Sequence, residues 1–167
     1  MKFRGIKNMY TCDWQQSVFM PDLEENQISA VLCISKNKKP AVTIDTYTTI
    51  GVQHYSANIE NLEDEKLEPE MIRIAKIIHH FVSKDQRILL HTGANEECVV
   101  AFAMIFYSIW TYYHNSDGSR RGGVKKPECT ITSKVVQELK AHHVETDLLQ
   151  SMVQKLYKLE SKYAASL

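Results

Sequence analysis

No sign of charge dominates this chain: among its 167 residues, twenty lysines and arginines balance twenty aspartates and glutamates. That excludes a global field steering the protein toward nucleic acid or an anionic membrane surface. Cysteine is scarce, and Cys12, Cys33, Cys98 and Cys129 show no C-x-x-C spacing. The pattern excludes a recognisable zinc motif and argues for reduced thiols rather than a disulfide framework. The longest apolar run, Cys98 to Trp110, falls short of the roughly 20 residues that a membrane span needs. Met1 to Ile6 has no apolar h-region, so no secretory signal is expected. N-x-S/T acceptors, internal repeats and low-complexity tracts are missing too. What remains is an ordinary globular composition, 44% hydrophobic and 24% charged, expected to form one domain over 1–167 with a cytoplasmic location.

Met9 to Cys12 reads as a first short strand, and Asp13 to Val18 as the start of a helix capped by Asp13. Pro21 to Asn26 suits a short helix or turn, and Ile28 to Ile34 a buried strand. Ser35 to Pro40 is a basic loop. The Thr, Val, Ile and Tyr content of Ala41 to Tyr55 favours extended structure, with Gly51 to Ser56 the strand within it. Asn58 to Lys66 is an acidic loop without periodicity, and Pro69 then suits the first turn of a helix. Met71, Ile74, Ala75, Ile78, Phe81 and Val82 recur at helical spacing, with the adjacent His79 and His80 on different faces. A helix apolar nearly all round follows from Cys98 to Tyr113, then a polar, basic, glycine-rich segment, His114 to Pro127, expected to be a flexible insertion. Thr132–His142 and a segment from Thr146 or Asp147 to Tyr163 close the chain as helices. The expected class is α/β, with a central, mostly parallel twisted sheet of four to five strands flanked by helices.

The organising stretch runs from Arg87 to Val100. Ile88-Leu89-Leu90-His91 is a central strand, Thr92-Gly93-Ala94-Asn95-Glu96-Glu97 a tight polar loop, and Cys98 opens the apolar helix. A strand feeding a helix N-terminus through such a loop presents backbone N–H groups to an anion. Yet this loop holds two glutamates and no lysine, arginine or serine.

Strand, loop and apolar helix in this position resemble the dual-specificity branch of the protein tyrosine phosphatases, over about Lys7 to Tyr163. In that family the strand ends in His-Cys and the loop H-C-x-x-G-x-x-R wraps the phosphate. His91 keeps the histidine, but Thr92 stands at the cysteine, Asn95 at the glycine and Cys98 at the arginine. Ile59 to Leu67 resembles the family's acidic loop, with Asn61 at the position of the aspartate that protonates the leaving group.

Each replacement removes a chemical role that the resemblance implies. Threonine has no anion near neutral pH to match a thiolate. Cysteine cannot give the bidentate hydrogen bonds of a guanidinium. Asparagine cannot donate a proton as a general acid. Glu96 and Glu97 in the first helical turn would satisfy the positive helix end themselves and repel a phosphate dianion. The resemblance therefore implies a pseudophosphatase, with no catalytic residues, no cofactor and no metal. The implied partners are proteins, either phosphoproteins or proteins that an active phosphatase also binds, with a homodimer as a further expectation. Nuclear or virion locations, the latter from a fast-evolving viral lineage, stay open beside the cytoplasm. Also open are a displaced nucleophile at Cys98, a weakly reactive or phosphate-accepting Thr92, a loop that binds phosphate without turnover, and a small α/β binding module unrelated to phosphatases.

Overall fold

The computed structural model describes residues 3–12, 17–34, 44–59, 63–92, 97–148 and 150–165. Five strands form one sheet: β1 (Arg4–Ile6), β2 (Met9–Thr11), β3 (Ile28–Ile34), β4 (Gln53–Ala57) and β5 (Arg87–His91), in the spatial order β1-β2-β5-β3-β4. β2, β5, β3 and β4 run parallel, and β1 alone is antiparallel to its neighbour. The expected α/β class with a mostly parallel sheet flanked by helices is what forms. β3 occupies the span read from the sequence, and β5 lies at the centre of the sheet.

The near-continuous apolar character of β3 and β5 follows from cores on both faces. Ala30, Leu32, Ile34, Ile88 and Leu90 join the larger core, while Val31 and Leu89 join the smaller one with Phe3, Cys12, Leu23 and Tyr47. The larger core is built from α3 (Asp64–Val82), α4 (Glu97–Tyr113), α5 (Ile131–Ala141) and α6 (Gln150–Ala164). The smaller one is covered by α1 (Met20–Glu25) and α2 (Ile44–Thr49). From Val99 to Tyr107 every residue of α4 is buried, so this helix sits in the interior. In α3 the buried Met71, Ile74, Ala75, Ile78 and Phe81 are those that the helical spacing selected. His79 is half-buried with its Nδ1 3.1 Å from the Tyr107 hydroxyl, and His80 is exposed.

Several expectations are corrected. The segment expected to be extended before β4 contains helix α2, because strand propensity yields to tertiary contact. Tyr47 in α2 is fully buried, donates to the Ser17 carbonyl at 3.1 Å and stacks on His54 at 5.0 Å between ring centroids. The acidic loop is shorter than expected, for α3 starts at Asp64 and Pro69 lies inside the helix rather than in its first turn. α6 begins at Gln150, not at Thr146 or Asp147. β1 had no counterpart in the sequence reading. It turns into β2 through Lys7 and Asn8, both with positive φ (51° and 66°), the geometry of a two-residue hairpin. The Asp13-capped helix start and the basic loop at 35–40 lie outside the described residues.

The segment His114 to Pro127 is tied down along its length. Asn115 N–H donates to Ser119 O at 2.8 Å, Arg121 N–H to Tyr113 O at 2.9 Å, and the Tyr112 hydroxyl to Lys125 O at 2.5 Å. Arg120 donates to the Tyr163 carbonyl and lies over the Tyr113 and Tyr163 rings at 5.6 and 5.8 Å. Its charge is thus spent on the C-terminal helix rather than left in solvent.

Glu160 of α6 is 5% exposed and caps α5: its carboxylate accepts Ile131 N–H at 2.7 Å, Thr132 N–H at 3.0 Å and the Thr132 hydroxyl at 2.7 Å. Removing it strands buried donors at a helix N-terminus. Glu160→Ala should cost about 2–3 kcal/mol, lowering the thermal midpoint by roughly 5–10 °C by circular dichroism. Glu160→Gln, which keeps one acceptor, should lose less, and equal loss in the two variants would mean that capping is not the cause.

Candidate functional site

The loop read as the chemical centre leaves the C-terminal end of β5, where the parallel sheet delivers its strand ends. His91 is the last strand residue, Thr92 follows it, and Glu97 is the first residue of α4. Gly93, Ala94, Asn95 and Glu96 lie outside the described residues, as does Asn61. The frame is therefore a strand end and a helix start joined by a five-residue connection, Thr92 to Glu96. Cys98 is half-buried one residue into the helix.

His91 is 1% exposed, and neither ring nitrogen has a hydrogen-bond partner among the described residues. The imidazole is therefore not bonded to the Thr92 hydroxyl, and successive strand residues point to opposite faces in any case. Burial pushes the His91 pKa down to about 4, the nearby His54 adds to this, and the Thr92 backbone opposes it. A neutral, weakly basic ring is a poor general base for its neighbour Thr92, which is itself buried (5% exposed).

Strand order assembles neighbours around His91 that sequence spacing does not reveal. In β3, Cys33 pairs with His91 in register and Val31 pairs with His54 of β4, so the side chains of His91, Cys33 and His54 share one sheet face. Tyr47 covers His54 with its ring planes 18° apart. Burial raises the Cys33 thiol and lowers His54. Tyr47 is pushed up to about 12, by burial first and then by Cys33 and Cys12, against the hydrogen bond at Ser17. No spacing in the sequence marks this cluster, which becomes legible once β4, β3 and β5 are known to be adjacent. Among the described residues, no group of three or more His, Cys, Asp or Glu side chains is placed to hold a metal ion. Nor is any described helix long and apolar enough to cross a membrane.

Solved structures share this arrangement over nearly the whole chain. The Yvh1 phosphatase domain from Chaetomium thermophilum superposes with a TM-score of 0.69 at 16% identity, covering 96% of this chain and 95% of that one. The fold is that of the dual-specificity phosphatases. Human DUSP28 matches with a TM-score of 0.64 at 12% identity, covering 97% of this chain and 95% of its own. Human tyrosine phosphatase-like serine/threonine/tyrosine-interacting protein matches at 0.63 and 14% identity, with 96% and 97% covered. Likeness at these identities establishes the fold alone. No protein-family model matches the sequence, and no curated protein matches it at the sequence level.

The buried imidazole makes stability depend on pH. A folded-state pKa near 4 against an ordinary value near 6.5 means that the unfolded chain takes up the proton first. The two states are equal above pH ~6.5, and stability falls as the pH drops from there toward 4, by up to about 3 kcal/mol from this residue. His91→Gln removes that slope. Urea unfolding at about pH 7 and about pH 4.5 should show a smaller difference for the variant than for the wild type. Identical slopes would place the acid sensitivity elsewhere.

Proposed function

We propose that the chain is a pseudophosphatase, a dual-specificity-phosphatase fold without hydrolytic activity that works as a protein-binding, regulatory or assembly component. The observation that carries this reading is Thr92, which directly follows β5 where the fold's reaction needs a thiolate. Its neighbour His91 is buried and held neutral, so it is a poor base. Cys98 at the arginine position and Asn61 at the aspartate position leave the clamp and the proton donor unfilled. Glu96 and Glu97 bring negative charge to a loop that would receive a dianion. An unrelated α/β binding module is disfavoured by superposition over nearly the full length of phosphatase domains. Function then resides in surfaces that contact protein partners, either phosphoproteins or proteins that an active phosphatase also binds, with the cytoplasm as its compartment and a homodimer as one candidate assembly.

Purified protein incubated with para-nitrophenyl phosphate should release no product above buffer, and Thr92→Ala and Cys98→Ala should leave that baseline unchanged. Hydrolysis by the wild type that either substitution abolishes would overturn the reading. Combined Thr92→Cys, Cys98→Arg and Asn61→Asp should remain near baseline while the glutamates stay. Adding Glu96→Ala and Glu97→Ala should raise turnover if loop charge is the residual barrier.

A further inference from the structure

The C-terminal parts of α4 and α6, together with the segment that leads into α5, line a cavity of about 350 Å³. Tyr113 is the last residue of α4. At the helical rise of about 1.5 Å per residue it lies roughly 24 Å along that helix from Glu97, so the cavity is separate from the Thr92 loop. Tyr113 is 1% exposed, and its hydroxyl has no hydrogen-bond partner among the described residues. A buried hydroxyl without a partner carries the cost of its lost hydration, and such groups are rare enough to mark a place where another polar group belongs. Arg120 lies over the Tyr113 ring at 5.6 Å but does not line the cavity.

Glu160 is the second buried polar group on the wall. Its Oε1 accepts from the Thr132 N–H and hydroxyl, and its Oε2 from the Ile131 N–H alone. A carboxylate offers about four acceptor sites, so Oε2 keeps one. All three donors are neutral, and Glu160 forms no ion pair among the described residues. Burial raises the Tyr113 phenol, the charge of Glu160 raises it further, Tyr112 adds to this and Arg120 opposes it. The wall thus holds two oxygens that can each accept one more hydrogen bond, one of them charged. The exposed ring of Tyr157, with Pro127 and Ala164, gives an apolar approach to them. Lys126 and Glu128 also line the cavity, but both are exposed and opposite in charge, so water screens them more than it screens the buried Glu160.

We infer that this cavity binds a primary alkylammonium group, whose N–H donors meet the Tyr113 hydroxyl and Glu160 Oε2 while its methylene stem lies against Tyr157, Pro127 and Ala164. Hydrogen bonds from a cation to a carboxylate are stronger than neutral ones, so the charge selects an ammonium over an alcohol or amide. An anion is a poor occupant beside a buried carboxylate that has no ion pair, and a plain alkyl chain leaves both oxygens unmet. A lysine side chain of a partner protein and a free aliphatic diamine offer the same chemistry. The inference goes beyond the pseudophosphatase reading and does not rest on it: turnover of an aryl phosphate would overturn that reading and leave this site standing.

The probes are Nα-acetyl-lysine N-methylamide, which mimics a lysine within a chain, and 1,5-diaminopentane, a free diamine. Each is titrated into full-length protein labelled for amide NMR. Saturable shifts should concentrate on the residues that line the cavity, with a Kd below about 10 mM for at least one probe. The tighter probe names the source, a partner's lysine or a free amine. The norleucine analogue, which keeps the stem and lacks the charge, should bind roughly tenfold more weakly, and acetate should not bind. Tyr113→Phe should weaken binding about tenfold while its thermal midpoint equals or exceeds that of the wild type, because the variant sheds an unmet buried hydroxyl. Lys126→Ala should tighten binding by removing a like charge. No saturation, equal binding of the norleucine analogue, tighter binding of acetate, or shifts confined to other surfaces would each overturn the inference. So would unchanged affinity in Tyr113→Phe, or a lower midpoint in that variant, which would show that the hydroxyl already has a partner.

Discussion

Because β5 lies third in a five-strand sheet with a core on each face, Ile88, Leu89 and Leu90 have no polar outlet, and the chain can turn polar only beyond His91. The apolar helix α4 must then return through the interior, so the connection between His91 and Glu97 is held short at the C-terminal edge of the sheet. That geometry depends on the burial of Leu90, Val100 and Phe106, not on what the loop residues can do chemically. Each such side chain contributes about 1.5–3 kcal/mol on leaving water. On the proposed reading, the strand and the helix can therefore stand without a nucleophile, clamp or acid between them.

The same separation explains why the cluster around His91 is structural in character. An imidazole without hydrogen-bond partners among the described residues, a thiol raised by burial and a tyrosine pushed up to about 12 all keep their neutral forms near neutral pH. Groups tuned for acid–base work would have their pKa values brought toward the operating pH, and those of His91 and Tyr47 move away from it. On the proposed reading, polar atoms here are tolerated remnants of the fold, and binding is carried by surfaces elsewhere on it.

What the sequence disclosed depended on how local each signal was. β3, β5 and the apolar stripe of α3 were legible because burial writes itself into consecutive or helically spaced residues. The β1–β2 hairpin was not, because Lys7-Asn8 lacks the Asn-Gly or Asp-Gly pair that announces such a turn. α2 was hidden by a composition that favours strands, since the burial of Tyr47 depends on contacts distant in sequence, with Ser17, His54 and the smaller core. The basic segment after α4 looked solvated because the partners of Arg120 include Tyr163, 43 residues away. For the site, the strand end and the helix start could be read directly. The pairing of His91 with Cys33, and the approach of His54, needed the strand order.

The central claim is that the strand–loop–helix frame persists while its anion-binding function is gone. Isothermal titration with orthovanadate, an oxyanion with the shape of the phosphoryl transition state, addresses it directly. The account predicts no saturable heat up to about 1 mM oxyanion, because the clamp is absent and the loop carries glutamates. One-to-one binding with a micromolar Kd that Thr92→Asp abolishes would contradict it.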